Sequence, residues 1–261
     1  MPKADNYVLG RGRLYFAPFQ TGTQTPSHLR YIGNTTEINI SISSDVLAHY
    51  SSESGVREKN DSVTVQTERT GSFVTDNVDA DNLALFFFGS VGAVAQTAGP
   101  VTNEQVGPVA GVVKGGFYQL GYSATNQTGV RNITTVSITG NGGTPTYVNG
   151  TDYVVDLATG MLEILAAGSI PNNTPLRANY TRTVGTREQV LSGNNSIEGA
   201  LKFIADNPKG TNRDMYIPWA RITANGDFAI KAESDWQNLP FNIDIMTPTG
   251  VAALLIDGRQ V

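Results

Sequence analysis

The run Thr36-Glu37-Ile38-Asn39-Ile40-Ser41-Ile42 decides the fold of this chain. Apolar and polar residues alternate strictly along it, so the three isoleucines fall on one face of an extended strand. Glu37, Asn39 and Ser41 fall on the opposite face. An alternation of this kind predicts a strand with one buried and one solvated side.

A second alternating stretch follows after a long polar segment, residues 43–60. Val63 and Val65 are predicted on its apolar face. Its predicted polar face has three members: Thr64, Gln66 and Glu68. Loops longer than about 12–15 residues are uncommon in compact domains and usually functional, so the segment between the strands is predicted as a functional loop. A disordered excursion is the alternative.

The chain is next expected to turn at Gly71 and to form one short helix that ends at Gly89. Acidic residues in the first turn favour the positive end of the helix dipole, and glycine commonly follows a helix. The predicted apolar stripe consists of Leu83, Phe86 and Phe87. Asp76, Asp79 and Asp81 superficially resemble a calcium loop, but the glycine and distal glutamate of that motif are missing, which favours helix capping.

Composition narrows the possible functions. With 28 Gly, 12 Pro and only 16% charged residues among 261, the chain is typical of an all-β protein whose surface is partly covered by partners. The net charge of −5 argues against a basic face that grips nucleic acid. The absence of cysteine excludes disulfides, thiolate metal sites and thiol nucleophiles. Neither a secretion signal nor a membrane span is expected, because no long apolar run is present.

No constellation in the sequence points to catalysis. The two histidines, His28 and His49, are not part of any nucleophile or metalloprotease motif. The glycine-rich run Gly140-Asn141-Gly142-Gly143 lacks the Lys-Ser/Thr of a phosphate-binding loop and is predicted as a hairpin turn. The expectation is therefore a protein without enzymatic activity, cofactor or metal.

The middle of the chain is predicted to be an inserted module. Its boundaries are placed at residues 114 and 182, so the host domain consists of residues 1–113 and 183–261. The module is expected to be a small, Ig-like β-sandwich, because short alternating segments follow one another between turn residues. Its predicted strands are residues 131–138, 146–148, 153–156, 161–165 and 176–180. A long β-excursion within one larger domain is the alternative.

The last third is predicted to contain strands at residues 200–205, 215–222 and 239–245. Pro218 indicates that the middle one is an edge strand or carries a bulge, because proline cannot donate to a ladder. Asn225-Gly226 predicts a tight hairpin to a further strand at residues 228–231. Trp219 and Trp236 are predicted as core aromatics, with a carbohydrate platform as the alternative. The full predicted core is Ile38, Ile40, Ile42, Val63, Val65, Leu83, Phe86, Phe87, Trp219 and Trp236.

The order of these segments resembles the tail tube (major tail) proteins of long-tailed bacteriophages. The resemblance rests on Tyr31-Ile32-Gly33-Asn34-Thr35-Thr36, the Ser/Glu/Gly-rich loop, the helix end Leu85-Phe86-Phe87-Phe88-Gly89, and residues 199–248. It covers the two ends of the chain and not the middle. It implies a tube-protein sandwich that contributes hairpins to a lumenal β-barrel shared between subunits.

In the family, hexameric rings stack into a tube through which the genome leaves. The resemblance implies that the first strand pair faces the lumen with Glu37, Asn39, Ser41, Thr64, Gln66 and Glu68. It further implies that the long loop orders on contact with the neighbouring ring, through Asp45, His49, Tyr50, Glu53, Arg57, Glu58 and Lys59. The inserted module would decorate the outside of the tube.

The expected partners are other copies of the chain, tail proteins at the tube ends and a tape measure protein in the lumen, with no membrane. DNA would pass without specific binding, since a neutral or acidic wall repels phosphates. The protein would be made in the host cytoplasm and end in the virion. The alternative functions are a carbohydrate-binding β-sandwich module, a head decoration protein and a tail terminator.

Overall fold

A computed structural model describes residues 5–53 and 55–259. Strands make up 53% of it and one helix has seven residues, which confirms the predicted all-β class with one short helix. The first elements in chain order are β1 (Gly12–Pro18), β2 (Arg30–Tyr31), β3 (Thr35–Ser51), β4 (Glu58–Thr75), α1 (Ala80–Phe86), β5 (Ser90–Gln96), β6 (Gly99–Val106), β7 (Phe117–Gln119) and β8 (Ile133–Gly140). The remaining elements are β9 (Thr146–Tyr147), β10 (Tyr153–Asp156), β11 (Met161–Ile164), β12 (Leu176–Arg182), β13 (Gly185–Leu191), β14 (Ile197–Ala205), β15 (Arg213–Ala224), β16 (Leu239–Ile245) and β17 (Leu255–Gly258).

The chain divides into two compact units. The first combines the residues up to Gly92 with those from Gln189 onward, and the second is Ala93–Glu188. The predicted first junction at residue 113 is therefore about twenty residues too late, because β6 pairs with β12 inside the second unit. Residues 91–113 are rich in Gly, Ala, Val and Pro and have the composition of a linker, yet they contain β6 and most of β5.

The second unit is a small sandwich of two sheets around one core. One sheet has the order β6-β12-β8-β9 and the other β10-β11-β7. The shared core includes Val106, Ile138, Leu162, Ile164, Leu176 and Tyr180. All five strands predicted here are present with ends within a few residues, whereas β6 and β7 were not predicted. Two facing sheets with one buried interface agree with the predicted sandwich.

The first unit is built on one antiparallel sheet. Its order is β2-β1-β14-β15-β16-β4-β3, and β17 pairs with the first residues of β15, Arg213–Tyr216. None of the described sheets closes into a barrel within one chain. The core lies on one face, where Phe73 of β4 stacks on Phe241 of β16 with ring centroids 4.7 Å apart. The edge of Phe86 from α1 meets the same Phe241 ring at 5.8 Å, which fixes the helix to the sheet.

Both ends of α1 are capped by local hydrogen bonds. The Asp79 carboxylate accepts the backbone N–H of Asn82 at 2.7 Å, so the predicted capping role is confirmed. At the other end Phe88 takes the left-handed conformation (φ 53°), and the Gly89 N–H donates to the Ala84 carbonyl at 2.7 Å. The left-handed position of this Schellman ending thus holds a phenylalanine rather than the glycine that follows it.

Gly89 is required for a different reason from the one expected. A Cβ at this position would overlap the backbone carbonyl of Leu191. The glycine therefore allows the chain leaving α1 to touch the chain leaving β13.

Gly71 does not form the predicted turn. It lies inside β4, where a Cβ would stand 2.6 Å from the Asn39 carbonyl oxygen and 2.8 Å from the Ile40 side chain. Glycine within a strand can mark a close approach of neighbouring groups as well as a turn. The turn prediction was wrong because sequence alone does not separate these two uses.

Two predictions for the last third were also partly wrong. Pro218 lies at a bulge, as predicted, but β15 is a central strand and not an edge. The proline is accommodated because β16 pairs only with Ala220–Ala224 and β17 only with Arg213–Tyr216, which leaves Pro218 between them. Residues 228–231 are not a strand: β15 and β16 pair directly and are joined by the irregular residues 225–238.

We expect Gly89→Ala to destabilise the first unit by at least ~2 kcal/mol, because the added methyl group meets backbone and not a movable side chain. Gly92→Ala is the matched control, since the nearest atom to its added Cβ is the Gln189 carbonyl oxygen at 3.9 Å. Denaturant unfolding of both variants provides the measurement. Equal midpoints would show that the chain around Gly89 shifts freely.

Candidate functional site

The most unusual feature of the first unit is a projecting two-stranded arm. Strand β16 pairs with β4 only from Thr70 to Thr75. Beyond that ladder, residues 42–51 of β3 pair with residues 58–69 of β4, and no other described strand pairs with either. We call these two strand segments, with the described residues 52–53 and 55–57 of the turn between them, the arm. The ten residues of the β3 segment give it a length of roughly 30 Å.

Residues 43–60 were predicted to form a loop. This prediction was wrong, because most of them belong to the two strands of the arm. Within it, Asp45, His49 and Tyr50 belong to β3, Glu58 and Lys59 to β4, and Glu53 and Arg57 to the turn. The strand signal was weak because neither face of the arm is buried. A strand solvated on both faces has no reason to alternate between apolar and polar residues.

Local contacts order the arm without giving it a core. The His49 Nδ1 and Asn60 Oδ1 atoms lie 2.6 Å apart, and the Arg57 guanidinium sits 5.3 Å from the centroid of the Tyr50 ring. Several apolar side chains nevertheless face solvent: Ile42, Val46, Leu47, Val63 and Val65. Leu47 is 65% exposed. An isolated two-stranded hairpin is marginally stable in water, and its outer edges offer unpaired N–H and C=O groups.

Bulges in the arm change which residues share a face. The register shifts between Asp45 and Val46, so Gln66 lies opposite Asp45 while Thr64 lies opposite Val46. Thr64 is therefore on the face opposite to Gln66, which corrects its predicted grouping. A second shift follows between His49 and Tyr50.

The other polar residues predicted for the lumen do share one face. Glu37, Asn39 and Ser41 alternate along β3, and the pairing places Gln66 and Glu68 on the same side. Two hydrogen bonds between neighbours on this face support the grouping. The Asn39 amide donates to Glu37 at 2.5 Å, and the Gln66 amide donates to Glu68.

This polar face continues across the sheet. One row runs from β3 through β4 and β16 to β15 as Asn39, Ser72, Asn242 and Thr223. The next row contains Ser41, Thr70, Asp244 and Arg221. A shallow depression of ≈510 Å³ lies over these rows and is lined mainly by asparagine, serine and threonine residues. We call this surface the polar face.

The charges at the inner end of the polar face compensate one another. Arg221 donates to Glu198 at 2.9 Å and lies 4.0 Å from a carboxylate oxygen of Asp244. The Trp219 indole N–H donates to the same Glu198 at 3.0 Å. The three ionised groups leave one net negative charge, and the guanidinium is engaged in holding the carboxylates.

Six members of the two rows were not predicted for this face: Thr70, Ser72, Arg221, Thr223, Asn242 and Asp244. The signal for β16 was present, because Asn242 and Asp244 alternate with buried neighbours in Leu239–Ile245. Thr70 and Ser72 were missed because Gly71 between them was interpreted as a turn.

The predicted core is correct only near the centre of the sheet. Phe86 is buried, and Ile38, Ile40 and Leu83 pack against the same core. Ile42, Val63 and Val65 are exposed because they lie on the arm. Phe87 is 39% exposed, although its ring packs against Phe86 and Phe228.

The two tryptophans differ in their surroundings. Trp219 is half-buried and its ring packs 6.4 Å from that of Phe19. Trp236 is 92% exposed in the irregular residues 225–238, so its predicted core role was wrong. It lines a depression of ≈500 Å³ together with Asp76, Val78, Asp235 and Gln237.

Within the described ranges, no group of three acidic, histidine or cysteine side chains could hold a metal ion. Over the same residues, no helix is long and apolar enough to cross a lipid bilayer.

A family model described as "Protein of unknown function UCP028589" matches residues 7–224. The chain belongs to this family. The matched residues 7–224 include the arm, the whole second unit and strands β1 to β15. No curated protein matches the sequence.

We expect the backbone amides of the arm to exchange with deuterium much faster than those of the adjoining sheet. The arm has one ladder and no buried face, so it can open without unfolding the core. Hydrogen exchange of the dilute protein checks this, with residues 71–75 and 239–245 as internal reference. Equal protection of arm and sheet would show that the arm is stabilised within a single chain.

Proposed function

We propose that this protein is the structural subunit of a bacteriophage tail tube, in which stacked hexameric rings form the conduit for genome ejection. The observation that carries the proposal is the arm: a long hairpin with both backbone edges and several apolar side chains unpartnered in the chain. Such an element is an aggregation liability unless other subunits cover it.

The edge strand β3 supports the same conclusion. Its outer edge has no described neighbour along Thr35–Ser51, so one side of the main sheet is open for pairing. Hairpins from several copies can close such open edges into a shared barrel, which removes every edge at once. Closure between subunits fits a sheet that forms no barrel within one chain.

The polar face suits the wall of a DNA conduit. DNA carries one negative charge per roughly 1.7 Å of its axis, and lysine or arginine side chains that neutralise phosphates hold it. Here the rows consist of amides, hydroxyls and carboxylates, and the one arginine in them is paired with acids. A wall of this chemistry lets DNA slide because it offers few attractive charges.

In this proposal the protein performs no chemical step and holds no cofactor. Its partners are other copies of itself, proteins at the two tube ends and a tape measure protein inside the tube. DNA passes without specific recognition, and the protein resides in the virion. The second unit, Ala93–Glu188, decorates the outside of the tube.

Carbohydrate binding is a second candidate, favoured by the surroundings of Trp236. An exposed indole ring beside Asp76, Asp235 and Gln237 offers both a stacking surface and hydrogen-bonding groups for a sugar. This candidate requires saturable glycan binding by the monomer. Trp219 does not contribute, since it lines a separate depression and its N–H is already bonded to Glu198.

We expect removal of the outer arm to abolish assembly and to leave the monomer folded. Asp45 and Gln66 face each other in the ladder, so residues 46–65 can be replaced by Asn-Gly, which closes a two-residue hairpin. Negative-stain electron microscopy of the concentrated protein should show rings or tubes for the intact chain and none for the shortened chain. The unfolding midpoint of the shortened monomer serves as the folding control.

Tubes built from the shortened chain would contradict the role given to the arm. An intact chain that remains monomeric at every concentration, also when supplied with tube-end proteins, would contradict the proposed function.

We expect the double variant Glu37→Lys, Glu68→Lys to assemble and to deliver DNA less efficiently, on the order of tenfold, because each added cation can hold a phosphate. The double variant Glu163→Lys, Glu188→Lys in the second unit is the matched control, as it reverses the same number of charges outside the rows of the polar face. Infectivity per assembled particle is the measurement. Equal infectivity of all particles would show that the polar face does not line the conduit.

A further inference from the structure

We infer that residues 225–238 form the surface that receives the arm of a second copy of this chain, so that copies join head to tail. We call this segment the Trp loop. The inference rests on the proposed assembly and specifies which surfaces meet in it.

The topology places the two features at opposite ends of one sheet. The arm leaves the sheet where β16 ends, at Ile245. The Trp loop joins β15 to β16 at the other end, where Leu239 pairs with Thr75. An arm of roughly 30 Å that points away from the loop cannot fold back onto it within the same chain.

The Trp loop presents apolar side chains that the fold does not use. Trp236 is 92% exposed and Ile230 is 80% exposed. The loop is nevertheless held in shape, because the Gln237 amide donates to the carbonyls of Ala229 at 3.0 Å and Ile230 at 2.9 Å. An ordered loop with an exposed tryptophan has the properties of an interaction hot spot, since little entropy remains to be lost on binding.

The arm offers a matching apolar surface. Leu47 and Val63 lie directly opposite each other in the ladder and are both exposed. Side chains so paired form one continuous patch on a single face of the arm. In the proposed contact, Trp236 and Ile230 of one copy pack against this patch on the arm of a second copy.

The contact area is too small for a stable isolated dimer, so the contact must be made by many copies at once. A ribbon of roughly 30 Å by 10 Å offers a few hundred Å² on each face, below the ≈800 Å² per partner of a stable isolated dimer. The contact is also heterologous, since different surfaces of the two copies meet, and a heterologous contact that does not close into a ring propagates along an axis. Such an interface is strong only when a ring of copies makes it many times over.

Cross-linking tests the contact directly, because the chain contains no cysteine. Leu47→Cys protein is mixed with Ile230→Cys protein, assembled and treated with a short bismaleimide. We expect a cross-linked dimer that contains both variants. The matched control pairs Leu47→Cys with Val109→Cys, an exposed position in the second unit, and should give no specific product.

Trp236 also provides an optical readout. In the Trp219→Phe variant it is the single tryptophan, and we expect its quenching by acrylamide to fall several-fold on assembly. Trp236→Ala should raise the concentration needed for assembly by about tenfold or more, whereas Phe117→Ala in the second unit should not.

The outcomes separate the two proposals. Assembled tubes in which Trp236 stays fully accessible and no 47–230 cross-link forms would overturn this inference and leave the tube function standing. A chain that never assembles would overturn both. Protection of Trp236 by an oligosaccharide in the monomer, without protection on assembly, would assign the Trp loop to sugar binding instead.

Discussion

The short ladder between Thr70–Thr75 of β4 and β16 holds the arm on the rest of the molecule. Phe73 lies in the middle of this ladder and stacks on Phe241, which in turn meets Phe86 of the helix. A compact aromatic cluster therefore anchors an extension that has no core of its own. The position of the arm, the direction in which it leaves and the orientation of the polar face all follow from this attachment.

The sequence predicts the parts of this fold in which burial is one-sided. Ile38 and Ile40 alternate with polar residues because one face of β3 packs on the core there, and the same logic located the strands of the second unit. Beyond Ile42 both faces meet solvent, the alternation ends, and the prediction became a loop. The pairing registers also could not be predicted, since no residue type in the sequence indicates the bulge beside Val46.

Glycine and tryptophan misled the prediction for related reasons. At Gly71 and at Gly89 a side chain is excluded by a backbone carbonyl oxygen of a segment distant in sequence. The residues next to each glycine in the sequence do not reveal that contact. Trp236 was placed in the core because large aromatic residues are usually buried, and nothing in the local sequence marks this one as an exception. The polar face was found in part because its first three members belong to the one strand whose alternation is strict.

The two bulges in the arm have a consequence for the free subunit. Each bulge increases the local right-handed twist of a hairpin, so the arm coils and its edges do not form a flat template. Flat edges of exposed strands recruit one another without limit, as in amyloid, whereas twisted and charged edges accept only a partner of matching shape. The bulges therefore lower, but do not remove, the aggregation liability of an uncovered arm.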